Sequence, residues 1–209
     1  MLTGILNLWY LAGFLSYQPI LHAPWPGIKL FSETFQQFPF LFWVVPCFIL
    51  TLTFVMMTAS IYMLIEEQQK IWGLLSIIFA VIYSAVLSAN YYIQLTVVQH
   101  NLRNGMLDGI SLWLYANYYP YTIPGALEGV GYLFMCLSFL CVSKVFGSKG
   151  LERWIHWGFT AAGISGLVVF IDPLIRLPDA ILVICGAVAG IAMTAGPVLL
   201  AVHFKKKSQ

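Results

Sequence analysis

The sequence predicts an all-α, polytopic membrane helix bundle with six transmembrane helices. Three observations predict it: 60% of the residues are hydrophobic, only 9% are charged, and the apolar residues form six long runs separated by polar stretches. A soluble domain carries about 25% charged residues, and one core of this size cannot hide so much apolar surface from water. We therefore expect residues 1–209 to form a single multi-pass transmembrane domain in the cell membrane, with the lipid bilayer as its solvent.

Six apolar runs define the predicted crossings. The first lacks the basic region and the cleavage site of a signal peptide, so we interpret it as a retained membrane helix. The second contains Pro46, which should kink it, and a polar turn at residues 66–70 joins it to the third as a helical hairpin. In the fourth, Thr122 can cap the helix and Pro124 fits its first turn. The crossings span residues 2–21, 38–65, 71–100, 122–146, 154–172 and 179–204.

The loops on one side of the bundle carry signals of the membrane interface. Residues 22–37 contain proline, glycine and charge, and predict a loop with a short helix around residues 28–35. Residues 101–121 are first polar and then aromatic, and aromatic side chains settle at the headgroup level. We expect a short interfacial helix there. Asp172 should end the fifth crossing, and Arg176 follows it at ion-pair spacing.

The lysine and arginine residues predict the orientation of the bundle. Six crossings place seven of them on one side and three on the other, and the more basic side stays in the cytoplasm. Both termini are therefore predicted to be cytoplasmic. The net charge of +2 gives no indication of nucleic-acid binding. The majority side carries Lys70, Lys144, Lys149, Arg153, Lys205, Lys206 and Lys207, and the other side carries Lys29, Arg103 and Arg176.

The fourth crossing carries one acid, Glu128, about one turn inside its start. A charged residue at the centre of a membrane helix costs roughly 2.5–3.5 kcal/mol on insertion scales, so this acid should face a polar interior, pair with another group or stay protonated. Gly125 and Gly129 form a GxxxG step that should let another helix approach closely, as should Gly186 and Gly190 in the sixth crossing. Close approach would let an asparagine or a tyrosine donate a hydrogen bond to the carboxylate.

Further polar side chains should lie at the depth of Glu128. Asn90 and Gln94 are four residues apart and share one helix face, as do Glu128 and Tyr132. We expect a polar pocket in the outer half of the bundle, covered by the aromatic loop, that binds, senses or passes a small or lipid-like molecule. The alternative is that these groups only hold the helices together. The predicted ligand-binding residues are Glu128, Asn90, Gln94, Tyr91, Tyr132 and Asp172.

Two further functions stay open at this stage. Two histidines are predicted at each side of the bundle, an arrangement similar to that of diheme b-type membrane cytochromes. The chain could then be an electron-transfer protein that binds haem b through pairs of histidines. A lipid-modifying membrane enzyme with Glu128 as its acid or base is the third function. The haem ligands would be His22, His100, His156 and His203.

Other catalytic and metal motifs are weak. No HExxH, HxxxH or DxxD pattern occurs in a predicted crossing, so the sequence predicts no metal site. The four cysteines lie in apolar runs, which is typical of small buried residues. Residues 163–166 read GxSG, the tetrapeptide around the rhomboid protease nucleophile, but we find no general base for Ser165. Helix packing is the favoured interpretation of this step.

Two stretches resemble small uncharacterised prokaryotic integral membrane proteins. They are NYYIQLTVVQHNL at residues 90–102 and ALEGVGYLFMCLSFL at residues 126–140. In those proteins, as here, a polar third helix is followed by an acid-bearing helix with a Gly-Tyr step. The resemblance implies a six-helix membrane protein of prokaryotic origin. It implies no activity and no site, and the sequence leaves a homo-oligomer open.

Overall fold

The all-α prediction is confirmed. The structure is a computed structural model that describes residues 2–21, 26–115 and 122–207, and none of these residues lies in a β-strand. The helices are α1 Leu2–Leu21, α2 Ile28–Glu33, α3 Gln37–Leu64, α4 Lys70–Ile93, α5 Gln99–Arg103, α6 Ile123–Ser143, α7 Gly150–Ile175 and α8 Asp179–Lys207.

A π-helical turn, Gln94–Val98, joins α4 to α5 without a break. The predicted third crossing therefore continues as one helix to Arg103, three residues beyond its predicted end at residue 100. A π turn inserts one extra residue into an α-helix and changes which side chains face inward after it; such turns frequently occur at functional sites. Short 3₁₀ turns, Glu67–Gln69 and Ile110–Trp113, form part of the two adjoining loops.

The long helices form a closed ring. Each of α1, α3, α4, α6, α7 and α8 packs against the long helices before and after it in sequence, and α8 closes the ring against α1. Contacts between early residues of one helix and late residues of the next show that neighbours run antiparallel. For example, Ser76 bonds to Ser138 and Asn90 bonds to the backbone of Pro124. The short loops that join α3 to α4, α6 to α7 and α7 to α8 favour this arrangement.

Five of these helices are long and apolar enough to cross a membrane, namely α3, the continuous helix through α4 and α5, α6, α7 and α8. A shorter apolar stretch in α1, Leu2–Ser16, accompanies them. The apolar helical bundle is compatible with an integral membrane protein. Large apolar side chains are exposed around its outside, as lipid contact requires; Phe38, Met63 and Leu174 are examples.

Two names describe the ends of the ring. The basic end contains the turn at Glu66–Lys70, the loop at residues 144–149 and the lysines that end α8. The loop end contains α2, the described part of the 104–122 connection and the α7–α8 connection. We predict that the basic end faces the cytoplasm.

Several local predictions can be compared with the structure. The short helix expected near residues 28–35 is α2, and Thr122 Oγ1 accepts a hydrogen bond of 3.3 Å from Gly125 N at the start of α6, as predicted. The helix α3 continues through Pro46. The helix α7 runs to Ile175, three residues beyond the end predicted for the fifth crossing, whereas its candidate membrane span, Gly150–Asp172, ends at Asp172. The interfacial helix expected at 101–121 is only a 3₁₀ turn in the described part, and residues 116–121 lie outside it.

Aromatic rings fill the half of the ring near the basic end. Phe54 of α3 meets Phe139 of α6 edge-on at 5.3 Å between ring centroids, and Phe139 stacks on Phe159 of α7 at 5.0 Å. All three side chains are fully buried. Such rings bury large apolar areas and hold specific geometries. This half of the bundle is therefore a packed core.

At the loop end, a second apolar cluster holds the connection between α5 and α6. Phe31 of α2 packs with Val98 and Leu102 at the end of the long helix and with Ile110 and Leu114 of the connection. Ser32 Oγ donates a hydrogen bond of 2.6 Å to the carbonyl oxygen of Leu102. These contacts fix residues 110–115 over the end of the ring, where they reach the candidate site.

Candidate functional site

A tyrosine and a glutamate face each other across the α4–α6 interface. Tyr91 Oη donates a hydrogen bond of 3.0 Å to Glu128 Oε1, and Tyr91 is almost completely buried. Glu128 reaches this position because Thr122 and Pro124 start α6 only one turn earlier. The expectation that a tyrosine would donate to this carboxylate is met by Tyr91. The acid therefore has a polar partner at the α4–α6 interface, as its place in an apolar helix requires.

Tyr115 brings the loop into the same network. Its hydroxyl group lies within hydrogen-bonding reach of the Glu128 carboxylate and accepts a short hydrogen bond from Asn90 Nδ2. Its ring meets Trp43 edge-on at 5.1 Å and stacks on Tyr91 at 6.2 Å. Burial and the nearby carboxylate of Glu128 raise the pKa of Tyr115 well above its ordinary value, so this hydroxyl keeps its proton.

Two buried amides of α4 and the π turn hold the connection against the ring. Asn90 Nδ2 also donates to Pro124 O at 3.4 Å, and Gln94 Nε2 donates to the carbonyl oxygen of Trp113 at 2.7 Å. Both side chains are completely buried. Among the described residues, no donor reaches Asn90 Oδ1 or Gln94 Oε1. Asn90 and Gln94 are thus positioned to order the loop, whereas the sequence predicted them as pocket walls.

A cavity of about 350 Å³ lies at the centre of the ring next to this network. All six long helices contribute to its wall, which is mainly apolar. It extends from the middle of the bundle toward the loop end, as the register of its lining residues shows, and the aromatic core lies on its other side. Its volume falls within the range of about 300–1,000 Å³ that is typical of small-molecule sites. The polar residues of the wall are Asn7, Tyr10, Tyr83, Tyr91 and Tyr132.

The predicted site residues divide between the cavity wall and the layer behind it. Tyr91 and Tyr132 line the cavity, and their hydroxyl oxygens are 3.4 Å apart. Glu128, Asn90 and Gln94 do not line it. The carboxylate instead lies behind the wall and touches it through Tyr91. The pocket is therefore less polar than the sequence predicted.

Asp172 stays within its own turn at the end of α7. Its Oδ1 atom accepts a hydrogen bond of 2.8 Å from Leu177 N, and its carbonyl oxygen accepts one from Arg176 N at 2.7 Å. Arg176 has a positive φ of 52°, so the chain reverses here after α7. Asp172 therefore caps the helix end, and it is not part of the cavity wall.

The glycines of the two GxxxG steps do not have the helix-packing role that the sequence predicted. A Cβ atom on Gly129, Gly186 or Gly190 would meet nothing within 4 Å outside its own helix, and all three residues line the cavity. The predicted close helix approach at these GxxxG steps is therefore wrong. Missing side chains at these positions leave the central space open.

Close helix contacts occur at other glycines. A Cβ atom on Gly131 would lie 2.6 Å from Leu87 Cγ, and one on Gly163 would lie 2.9 Å from the carbonyl oxygen of Cys136. A Cβ atom on Gly166, which ends the GxSG step, would lie 3.0 Å from Cys136 Cβ and closer still to its sulfur atom. This step therefore packs α7 against α6, in agreement with its favoured interpretation.

The described histidines lie away from the cavity. His156 Nδ1 is 2.7 Å from the carbonyl oxygen of Ser143, and His203 Nε2 is 3.5 Å from Glu152 Oε1 at the basic end. His100 is exposed near the loop end and contacts Asn104. His22 lies outside the described residues. Within the described part of the chain, no group of three or more His, Cys, Asp or Glu side chains could hold a metal ion.

Sequence reasoning missed most of the cavity wall. Tyr10 of α1 and Tyr83 of α4 read as ordinary aromatic residues of apolar helices, and Asn7 as an isolated polar residue. In the structure Asn7 Nδ2 donates a hydrogen bond of 2.7 Å to Thr194 Oγ1 and joins α1 to α8. Only the order of the helices around the ring brings these residues together. Polar or aromatic positions at similar depth in the first, third and fourth crossings were the signal that could have indicated them.

No protein-family model, no curated protein and no solved structure matches this chain.

Proposed function

We propose that this integral membrane protein binds a small, largely apolar or lipid-like molecule in the central cavity. The observation that carries the proposal is the cavity itself, a space of about 350 Å³ walled by all six long helices. A bundle interior packs as densely as an organic crystal, and a space of this size forfeits many favourable contacts unless something fills it. A site for a guest molecule accounts for such a space.

The polar groups of the wall determine how a bound molecule would be oriented in the cavity. Most of the wall is apolar, while Tyr91 and Tyr132 form one polar patch that is connected to Glu128. Ligand sites commonly combine apolar walls with a few polar groups that fix the orientation of the guest. We therefore propose that the apolar part of the guest packs between the helices and that its polar part meets this tyrosine patch. Glu128 acts through Tyr91 as a positioning residue.

The loop end supplies a cover for the site. Tyr115 stands between Trp43 and Tyr91, and the amides of Asn90 and Gln94 hold the adjacent backbone. We propose that the guest lies in the half of the membrane away from the basic cytoplasmic end.

Filling the cavity tests the proposal without touching the polar network. Gly190→Leu places a side chain in the open space, whereas Gly158→Leu adds the same side chain to α7 at another open position outside the cavity. Wild-type protein and both variants are purified in one detergent, and organic extracts are compared by mass spectrometry. A compound retained by wild type and Gly158→Leu but depleted in Gly190→Leu is the expected result. Equal amounts in all three proteins would contradict the proposal.

The same samples separate binding from catalysis. A retained compound that is returned unchanged after incubation supports a binding, sensing or passage function. Conversion of that compound by the wild-type protein would favour the lipid-modifying enzyme. An absorption spectrum of the purified protein tests the haem hypothesis directly, because bound haem b has an intense Soret band.

A further inference from the structure

The direction of the hydrogen bonds at the tyrosine patch indicates the chemistry of the guest. Tyr91 has one hydroxyl proton, and it is donated to Glu128 Oε1. In its 3.4 Å contact with Tyr132, Tyr91 must therefore act as the acceptor, so the proton of Tyr132 points toward Tyr91. The lone pairs of Tyr132 and the second lone pair of Tyr91 are then the part of this patch that remains for a guest.

The carboxylate of Glu128, which lies behind this patch, also favours a guest that donates hydrogen bonds or carries a positive charge. Within the described residues, no lysine, arginine or histidine forms an ion pair with Glu128. Its contacts are the hydroxyl groups of Tyr91 and Tyr115. In a low-dielectric interior a carboxylate without a counter-ion attracts a nearby cation and repels a nearby anion strongly. The hydrogen-bond chain passes this acceptor character to the cavity wall.

The other polar residues of the cavity wall can also accommodate a cationic, hydrogen-bond-donating guest. Asn7 uses its amide nitrogen to bond Thr194, which leaves its carbonyl oxygen as an acceptor. Tyr10 and Tyr83 add two more aromatic faces to the wall, and each of their hydroxyl groups can accept or donate a hydrogen bond. An ammonium group is attracted to the face of an aromatic ring as well as to oxygen acceptors.

We propose that the cavity takes an amphiphile with a protonated amine head and an apolar body. This inference rests on the proposed function and names the ligand class for the same site. The amine donates to the Tyr132 oxygen and supplies the positive charge that Glu128 lacks, while the alkyl or ring body fills the apolar space toward the aromatic core. No covalent step is involved.

Three probes with one alkyl chain test the head group. Decylamine, 1-decanol and decanoate are titrated at pH 8 against the protein in lipid nanodiscs, and bound probe is measured by native mass spectrometry. Gly190→Leu in the same nanodiscs gives the amount that partitions into lipid, and this amount is subtracted. Decylamine is expected to bind at least about tenfold tighter than decanoate, since a hydrogen bond and a charge interaction are gained together, with 1-decanol between them.

Two variants connect the preference to the named residues. Glu128→Gln keeps an acceptor for Tyr91 but removes the charge, so the preference for decylamine over 1-decanol should fall to about that of a neutral site. Tyr132→Phe removes the acceptor that faces the guest and should weaken decylamine and 1-decanol together. Decanoate binding as tight as that of decylamine, or an unchanged preference in Glu128→Gln, would overturn the inference.

The outcomes distinguish this inference from the proposed function. If no probe binds wild type more than Gly190→Leu, the cavity is not a ligand site and both proposals fail. If all three probes bind wild type equally and are lost in Gly190→Leu, the cavity binds ligands and only the amine preference is wrong.

Discussion

Tyr91 and Glu128 meet through a hydrogen bond of 3.0 Å that joins α4 to α6 and separates the carboxylate from the central cavity by one hydroxyl group. An acid in an apolar helix needs a partner, and here the partner is also part of the cavity wall. This relationship lets the carboxylate of Glu128 influence a site that it does not line. It also predicts that the two residues depend on each other energetically.

A double-mutant cycle measures that dependence. Glu128→Leu leaves the Tyr91 hydroxyl without its acceptor and should destabilise the fold by about 1–3 kcal/mol. Combining it with Tyr91→Phe removes both polar groups, so the double variant should be more stable than the sum of the single effects predicts. Thermal unfolding in detergent gives the change in stability of the two single variants and of the double variant. Effects that add within about 0.5 kcal/mol would show that the two residues are independent.

The contact between α1 and α3 should be intolerant of a single methyl group. A Cβ atom on Gly13 would lie 2.9 Å from Trp43 Cα and 3.0 Å from Phe42 O, and backbone atoms cannot move aside as a flexible side chain can. We expect Gly13→Ala to lower stability by about 1–3 kcal/mol. Gly158→Ala is the matched control, because its Cβ atom meets nothing within 4 Å and alanine favours the helix. Equal unfolding temperatures for the two variants would contradict this packing.

The serine pair near the basic end predicts an asymmetric result. Ser138 Oγ donates to Ser76 O at 2.9 Å, so the 2.8 Å bond between the two hydroxyl groups is donated by Ser76. Ser138→Ala removes both bonds and strands the buried Ser76 hydroxyl, at a cost of about 1 kcal/mol. Ser76→Ala leaves the bond from Ser138 to the backbone. Its unfolding temperature should therefore lie nearer to wild type, and the reverse order would contradict the assigned donors.

Part of this architecture could be predicted from the sequence and part could not. Long apolar runs interrupted by charge indicated the six helices, because lipid requires continuous apolar helical segments. Thr122 and Pro124 predicted the start of α6 for local reasons that need no tertiary information. The end of the fifth crossing was predicted at Asp172, and the helix α7 continues through Pro173 to Ile175.

The cavity could not be predicted, because it depends on which faces meet around a ring. Gly186 and Gly190 have the spacing of a helix-packing motif, yet they border open space. Asn90 and Gln94 share a helix face, but the π turn and the loop decide what that face meets. The spacing of residues along one helix shows which side chains share a face. What that face packs against depends on the neighbouring helices and loops.

The orientation of the bundle is open to a labelling experiment. Gln68 is exposed at the basic end and Asn104 at the loop end. In intact cells, a membrane-impermeant maleimide should modify Asn104→Cys, and it should modify Gln68→Cys only after permeabilisation. The protein without an added cysteine is the control for the four native thiols, which lie in the helices. The opposite pattern would place the basic end outside.

The most direct test of a central ligand site is photolabelling of α8 with a decanol that carries a diazirine on its chain. One face of α8 lines the cavity with Cys185, Ala189 and Met193, while Val183, Ile184 and Ile191 are exposed on the outside. Sequencing of the labelled peptides should place the adducts on the lining residues in wild type and remove them in Gly190→Leu. Adducts confined to the outer residues in both proteins would contradict the site.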